Sequence, residues 1–206
     1  MSAICLLLLV SCTTEETIGD PPDVPTLPQA TTPDQLMANF KTVYETMDCD
    51  CFRDLLMHPD YQTRLQQDTV DEFSLPESFF TYADGLTIQA HLFSGQPIAT
   101  PGGVLPGISS IDFTTFEQQF AWTRSAPDDP NFPDTLYSSY NVKVEFMRAG
   151  GAATTLIVQG IIQVYVTTIE QNGANFYRLI GMVDLTDSKT RAAEGCCFGA
   201  VKALYR

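Results

Sequence analysis

Four long stretches rich in β-branched and aromatic residues dominate the second half of the chain, at 136–148, 154–169, 175–186 and 198–205. Ala149-Gly150-Gly151, Gln171-Asn172-Gly173 and a polar segment at 187–195 separate them. Runs of this kind with glycine-containing turns between them predict a meander of antiparallel strands. A shorter run at 111–116 predicts one more strand, although Phe113, Phe116 and Phe120 also fit a helix. The first half reads differently. Thr32-Pro33-Asp34-Gln35 has the order of a capped helix start, and Leu36, Met37, Phe40, Val43, Tyr44 and Met47 follow at helical spacing. Phe52, Leu55 and Leu56 predict a short second helix over 51–57, ended by Pro59, with a short strand at 61–65. Ser74-Leu75-Pro76-Glu77 reads as a second capping box, and Phe79, Ala83, Leu86, Ala90 and Phe93 predict a third helix that Gly95 ends. Residues 95–110 and 125–135, rich in Gly and Pro or in Pro and Asp, predict loops. Helices first and a strand meander after them make an α+β fold.

In this frame the chain resembles the nuclear transport factor 2-like, or SnoaL-like and cystatin-like, superfold over residues 34–206. The resemblance rests on the amphipathic first helix, the turn Met47-Asp48-Cys49-Asp50, the passage Leu56-Met57-His58-Pro59-Asp60-Tyr61 and the terminal meander. It implies a cone-shaped, strongly curved, mostly antiparallel sheet with three helices of the N-terminal half packed on its concave face. It also implies that the outer sheet face could pair two copies as a homodimer. Function does not follow, because this cone serves isomerases, dehydratases, cyclases and non-catalytic binders alike.

Catalytic members hold Asp, His or Tyr on the inner wall, so strand alternation is a test for chemistry. On 154–169 the face of Leu156, Val158, Ile162, Val164 and Val166 is apolar, whereas Gln159, Gln163 and Tyr165 lie opposite. On 175–186 strict alternation groups Tyr177, Leu179, Gly181, Val183 and Leu185 against Arg178, Ile180, Met182 and Asp184. With the apolar faces turned inward, these strands bring no carboxylate and no histidine into the cone; with the mixed faces inward, Gln159, Gln163, Tyr165, Arg178 and Asp184 converge on a polar pocket. The expectation is therefore a binding domain for a small apolar ligand or a protein partner, without catalysis. Tyr44, His58, Tyr61, Trp122 and Tyr165 are the candidate pocket residues; the alternative is an acid–base enzyme that uses groups inside the cone. His58 before Pro59 suits a backbone-capping role, and His91 falls off the apolar stripe of the third helix, on its exposed side.

The N-terminus points to a place in the cell. Ile4 to Val10 is apolar, far shorter than the roughly 20 residues that cross a bilayer. Leu9-Val10-Ser11-Cys12 then sets a large aliphatic three residues before a cysteine and a small residue directly before it. This resembles the lipobox of bacterial lipoproteins, without the basic residue that usually opens a signal peptide. It implies a signal peptide at 1–11, lipidation at Cys12 and a protein anchored to membrane outside the cytoplasm, at the bacterial cell envelope. Residues 13–34 hold five prolines and five acids with no base and no aromatic, the composition of an extended tether. We take 12–33 as that tether.

Six cysteines are present, of which Cys5 leaves with the signal and Cys12 is the anchor. An exported protein favours disulfides for the rest, and a bridge from Cys49 or Cys51 to Cys196 or Cys197 is the expected pairing. Zinc is disfavoured by the Cys-x-Cys spacing, and Asp128, Asp129, Asn131 and Asp134 lack the spacing of a calcium loop. No metal and no cofactor is expected. With 25 acids, 11 Lys and Arg and a net charge of −14, the chain is not a nucleic-acid binder.

Overall fold

The computed structural model describes residues 27–100, 103–149, 155–185, 195–196 and 198–206. Cys5, Cys12 and Cys197 lie outside them, as do the signal peptide and most of the tether.

Helix α1 (Pro33–Thr46) starts as its sequence dictates: the Thr32 hydroxyl accepts the Gln35 N–H, with proline in the first turn. The Gln35 side chain turns back one residue further than a reciprocal box would, and accepts the Thr31 N–H at 2.9 Å. Leu36, Met37, Phe40, Val43 and Tyr44 form its buried stripe. Met47, left-handed at φ 52°, ends the helix. The body reaches back beyond α1, since Ala30 is fully buried and its carbonyl accepts the Tyr177 N–H at 2.8 Å.

A short helix α2 (Cys49–Cys51), capped by Asp48, runs into a π-helical turn over Phe52–Leu56. Strand β1 (Met57–Arg64) follows directly, starting earlier than expected and passing through Pro59. Proline has no N–H for the ladder, and the register of β1 shifts between Met57 and Gln62, across Pro59. A polar helix α3 (Gln67–Glu72), not foreseen from the pattern, buries only Thr69.

The third expected helix splits. Phe79–Thr81 is strand β2, paired with β1 through Gln62↔Thr81 and Arg64↔Phe79. Helix α4 (Tyr82–Phe93) begins only after it, capped by a reciprocal box between Thr81 and Asp84. Ser74 starts no helix; it adopts φ 48° just beyond α3. Two capping motifs competed, and the one that leaves β1 an edge partner won. Gly85 within α4 has a packing reason, because a Cβ there would meet Met57 Cε at 3.0 Å. The segment expected to be loop holds a small hairpin, β3 (Ile98–Thr100) with β4 (Gly103–Leu105).

The remaining strands are β5 (Ile108–Gln118), β6 (Thr123–Arg124), β7 (Leu136–Arg148), β8 (Leu156–Gln171), β9 (Ala174–Asp184) and β10 (Gly195–Cys196). They make one open, curved sheet in the order β2-β1-β9-β8-β7-β5, with β6 beside β7 and β10 beside β8. Pairing is antiparallel except for β1 with β9 and β10 with β8. The fold is α+β with a mostly antiparallel sheet. Val142, Val144 and Phe146 on β7 and Val158, Ile162 and Val164 on β8 face inward and are almost wholly buried. Phe40 and Tyr44 of α1 pack on Phe113 of β5, with ring centres about 6 Å apart at 6.1 and 6.0 Å.

The stretch 198–205 is a helix and not the expected last strand. Helix α5 (Phe198–Leu204) buries Phe198, Val201, Lys202 and, just beyond its end, Tyr205. These residues recur at spacings of three, four and seven, one helical face, and the Tyr205 N–H donates to the Val201 carbonyl at 3.2 Å. Phe198 lies 5.7 Å from Tyr44 and 6.2 Å from Phe146, so α5 is seated inside the cone.

Candidate functional site

Strict alternation fails on β9, and the failure creates the polar centre of the molecule. Val164 pairs with Met182 and Tyr165 with Gly181, but Val166 pairs with Leu179, so Ile180 is an extra residue. Such a bulge exchanges the faces of the strand on either side of it. Leu179 and Met182, two residues that alternation separates, are both buried. Asp184, opposite Ile162, comes inward with Met182 and is 2% exposed. The cone therefore does contain a carboxylate, against the reading that the inner wall has none.

Asp184 Oδ2 accepts the Gly199 N–H at 2.9 Å and so holds the first turn of α5. One turn on, Lys202 is 4% exposed, and its Nζ donates to Thr63 Oγ1 at 3.0 Å and to Tyr61 OH at 3.3 Å. The same Nζ stands 5.7 Å from the Tyr61 ring centre and 5.4 Å from that of Phe198. Burial pushes the Lys202 amine down to about 7, and the Asp184 carboxylate, pulling the other way, does not offset it. Tyr61 is pushed up to about 12 by burial, although its bond to Thr63 opposes the shift. Tyr44 is raised well above the ordinary phenol value, first by burial and then by the Tyr61 hydroxyl beside it. Gln89 of α4 donates to Tyr44 OH, while its own Oε1 is buried without a hydrogen-bond partner among the described residues.

Of the candidate pocket residues, the structure brings together Tyr44 and Tyr61 only. His58 is turned away, its Nδ1 accepting the Asp60 N–H at 3.1 Å. Trp122 belongs to the β5–β6 connection, where its Nε1–H donates to Asp34 at 2.7 Å and its ring lies 6.3 Å from Tyr140. Tyr165 is on the opposite face of the sheet, stacked on Tyr137 at 5.5 Å and covered by Phe132 at 4.7 Å. Phe132 fits there because Gly181 has no side chain; a Cβ would meet its ring at 2.0 Å. The acidic loop 125–135 thus closes over part of the outer sheet face. His91 is half-buried rather than exposed, with Nδ1 3.0 Å from the Tyr205 carbonyl. The sequence reasoning missed Lys202, Thr63 and Gln89, and brought Asp184 inward only on its alternative with the mixed strand faces inside. A helical reading of 198–205 would have placed Lys202 on the Phe198–Val201–Tyr205 face.

A second feature lies beside α5. A cleft of about 460 Å³ runs between Phe73 and Leu75, the β3–β4 hairpin with Ala99, Val104 and Leu105, and the end of α5 with Ala203, Leu204 and Arg206. Its walls are chiefly apolar. Arg206 is tied to Asp84 at 3.5 Å and lies over the Phe80 ring.

Cys49 and Cys51 are free, half-buried thiols. Burial raises both, Cys51 to about 11 with Asp48 adding to the effect, so neither is a thiolate near neutral pH. Among the described residues no group of three or more His, Cys, Asp or Glu comes together. No described helix is long and apolar enough to cross a membrane.

No protein-family profile matches the chain, and no curated protein is found as a relative. Solved structures resemble it distantly. A candidate aromatic ring hydroxylase from Novosphingobium aromaticivorans is 13% identical with a TM-score of 0.45, over 73% of this chain and 82% of that one. AusH from Aspergillus nidulans is 13% identical with a TM-score of 0.40, over 82% and 94%. Rv3472 from Mycobacterium tuberculosis, of unknown function, is 12% identical with a TM-score of 0.37, over 84% and 82%.

Proposed function

We propose that this protein is held at the bacterial cell envelope by lipidation of Cys12 and that its folded body binds a small apolar ligand without catalysis. The observation that carries the binding reading is the cleft at the end of α5. Its volume of about 460 Å³ suits one small molecule, and its lining is mostly carbon. The anchor reading rests on Leu9-Val10-Ser11-Cys12 and on the Pro- and acid-rich segment after it. An acid–base enzyme is the second reading, favoured by Lys202, Tyr61 and Asp184 meeting inside the cone. Their exposures of 4%, 2% and 2% place it behind the first, because a substrate would have to displace α5 to reach them.

Binding is tested with N-phenyl-1-naphthylamine, a neutral apolar fluorophore. Wild-type protein is expected to bind it in the micromolar range, and Ala203→Trp, which fills the cleft, to weaken it at least about tenfold. No binding by wild type, or equal binding by the variant, rejects the cleft as the site. Localisation is tested separately: Cys12→Ala is expected to move the protein from the membrane pellet to the soluble fraction. A variant that still pellets with membranes removes the anchor.

A further inference from the structure

Helix α5 presents a docking face on which one residue is out of place. Phe198, Val201 and Tyr205 are apolar or aromatic and at most 2% exposed, and Lys202 is buried among them at 4%. An ammonium group brings three donors and a charge, and taking that charge out of water costs several kcal/mol. Among the described residues its bonded acceptors are two neutral hydroxyls, Thr63 and Tyr61. We propose that α5 is a proton-operated latch, docking in the cone with Lys202 as an uncharged amine and letting go when Lys202 takes up a proton.

The exchange balances simply: the Lys202 ammonium gives one proton to solvent as α5 docks and recovers it as α5 leaves. Among the described residues, the other titratable and charged groups around the helix are few. From β1 comes the Tyr61 hydroxyl, and from α1, behind it, the Tyr44 hydroxyl. From β9 comes the Asp184 carboxylate, engaged by the Gly199 N–H. From α4 come His91, against the Tyr205 carbonyl, and Asp84, paired with Arg206. From β7 comes Arg148, bonded to the Tyr205 side chain. Helix α3 turns Thr69 toward α5 and leaves Asp68, Asp71 and Glu72 exposed. Strand β8 offers apolar side chains, Val158 among them.

The direction follows from the two ends of the exchange. Docked, the amine titrates at about 7; released into water it returns to 10.5. Above 10.5 both states are neutral and docking is strongest. Between the two values the released state alone holds the proton, so docking weakens up to tenfold for each unit of falling pH. Below about 7 both states are charged and the effect is complete. Ala203, Leu204 and Arg206 form one wall of the apolar cleft, so release of α5 removes that wall. That consequence rests on the ligand reading; the latch does not.

The test needs no ligand. Native protein is cleaved with subtilisin within 198–205, and each rate is divided by that of the free peptide of this sequence at the same pH. For wild type the ratio is expected to fall by up to about tenfold per unit between about pH 7.5 and 9.5, and for Lys202→Met to be flat. The ¹³Cε and ¹⁵Nζ resonances of Lys202 in wild-type protein are expected to titrate near 7, a measurement that stands even if the variant does not fold. A wild-type ratio independent of pH, or a Lys202 midpoint near 10.5 in the folded protein, overturns the proposal. So does a slope that survives Lys202→Met and disappears in His91→Gln. Loss of fluorophore binding with the pH slope intact would reject the ligand reading and leave the latch standing.

Discussion

Replacing Lys202 with methionine is expected to make the protein more stable at pH 7, by about 2–4 kcal/mol in urea unfolding. The reason is the amine's position. Folding carries Lys202 from water, where it titrates at 10.5, to a site where it titrates at about 7. At pH 7 the unfolded chain holds a proton that the folded chain only half retains, and that difference works against folding. The sign fixes the pH dependence. Folded-state affinity for the proton is the lower one, so this residue's penalty is full below about 7, shrinks as pH rises and vanishes above 10.5. Wild-type stability should therefore climb toward alkaline pH by up to about 1.4 kcal/mol per unit from this group alone, and the variant should lose that climb. Methionine fits for a further reason: Tyr61 OH and Thr63 Oγ1 lie 2.9 Å apart and keep each other as partners once the amine is gone. A variant less stable than wild type at pH 7 would mean that the Lys202 bonds outweigh its desolvation.

Phe198→Ala acts on the same helix with the opposite sign. Phe198 is 2% exposed and touches three elements at once, Tyr44 of α1, Phe146 of β7 and the Lys202 amine of its own helix. Truncation removes the transfer energy of a buried ring and leaves a cavity between walls that strands hold apart. A loss of about 3–5 kcal/mol is expected. Because α5 is only seven residues long, it has no stability of its own to fall back on. The variant should therefore show α5 open to subtilisin at every pH, with the sheet still folded. Wild-type protection of 198–205 in Phe198→Ala would mean that Asp184 and Tyr205 hold the helix without the ring.

The legible parts of this fold are those where one period dominates. Leu36, Phe40, Val43 and Tyr44 behind a Thr-Pro start admit only a helix, and β7 and β8 alternate cleanly over most of their length. Of the features that escaped, three have a clear local reason. A bulge at Ile180 leaves no mark in composition, yet it reverses which residues of β9 face inward and so carries Asp184 into the core. The run Phe198–Leu204 is too short for one period to exclude the other, and tertiary burial of Phe198, Val201 and Tyr205 decided it. The start of α4 was misplaced because Ser74…Glu77 and Thr81…Asp84 both spell a capping box, and only sheet pairing separates them. The candidate site shows the same limit. Tyr44 and Tyr61 were found as aromatic residues of the first helix and first strand, whereas Lys202 and Asp184 required the helix and the bulge.

The segment before α1 has a mechanical consequence. Ala30 is bonded to the Tyr177 N–H, the Asn39 side chain holds the Pro28 carbonyl at 2.8 Å, and Arg178 grips Gln29 while also donating to the Asp54 carbonyl at 3.2 Å. A pull transmitted through the preceding chain therefore meets this three-point clasp on β9, α1 and the π-turn before it reaches the cap of α1. Load is spread into the sheet through β9, the strand whose far end also holds α5 through Asp184.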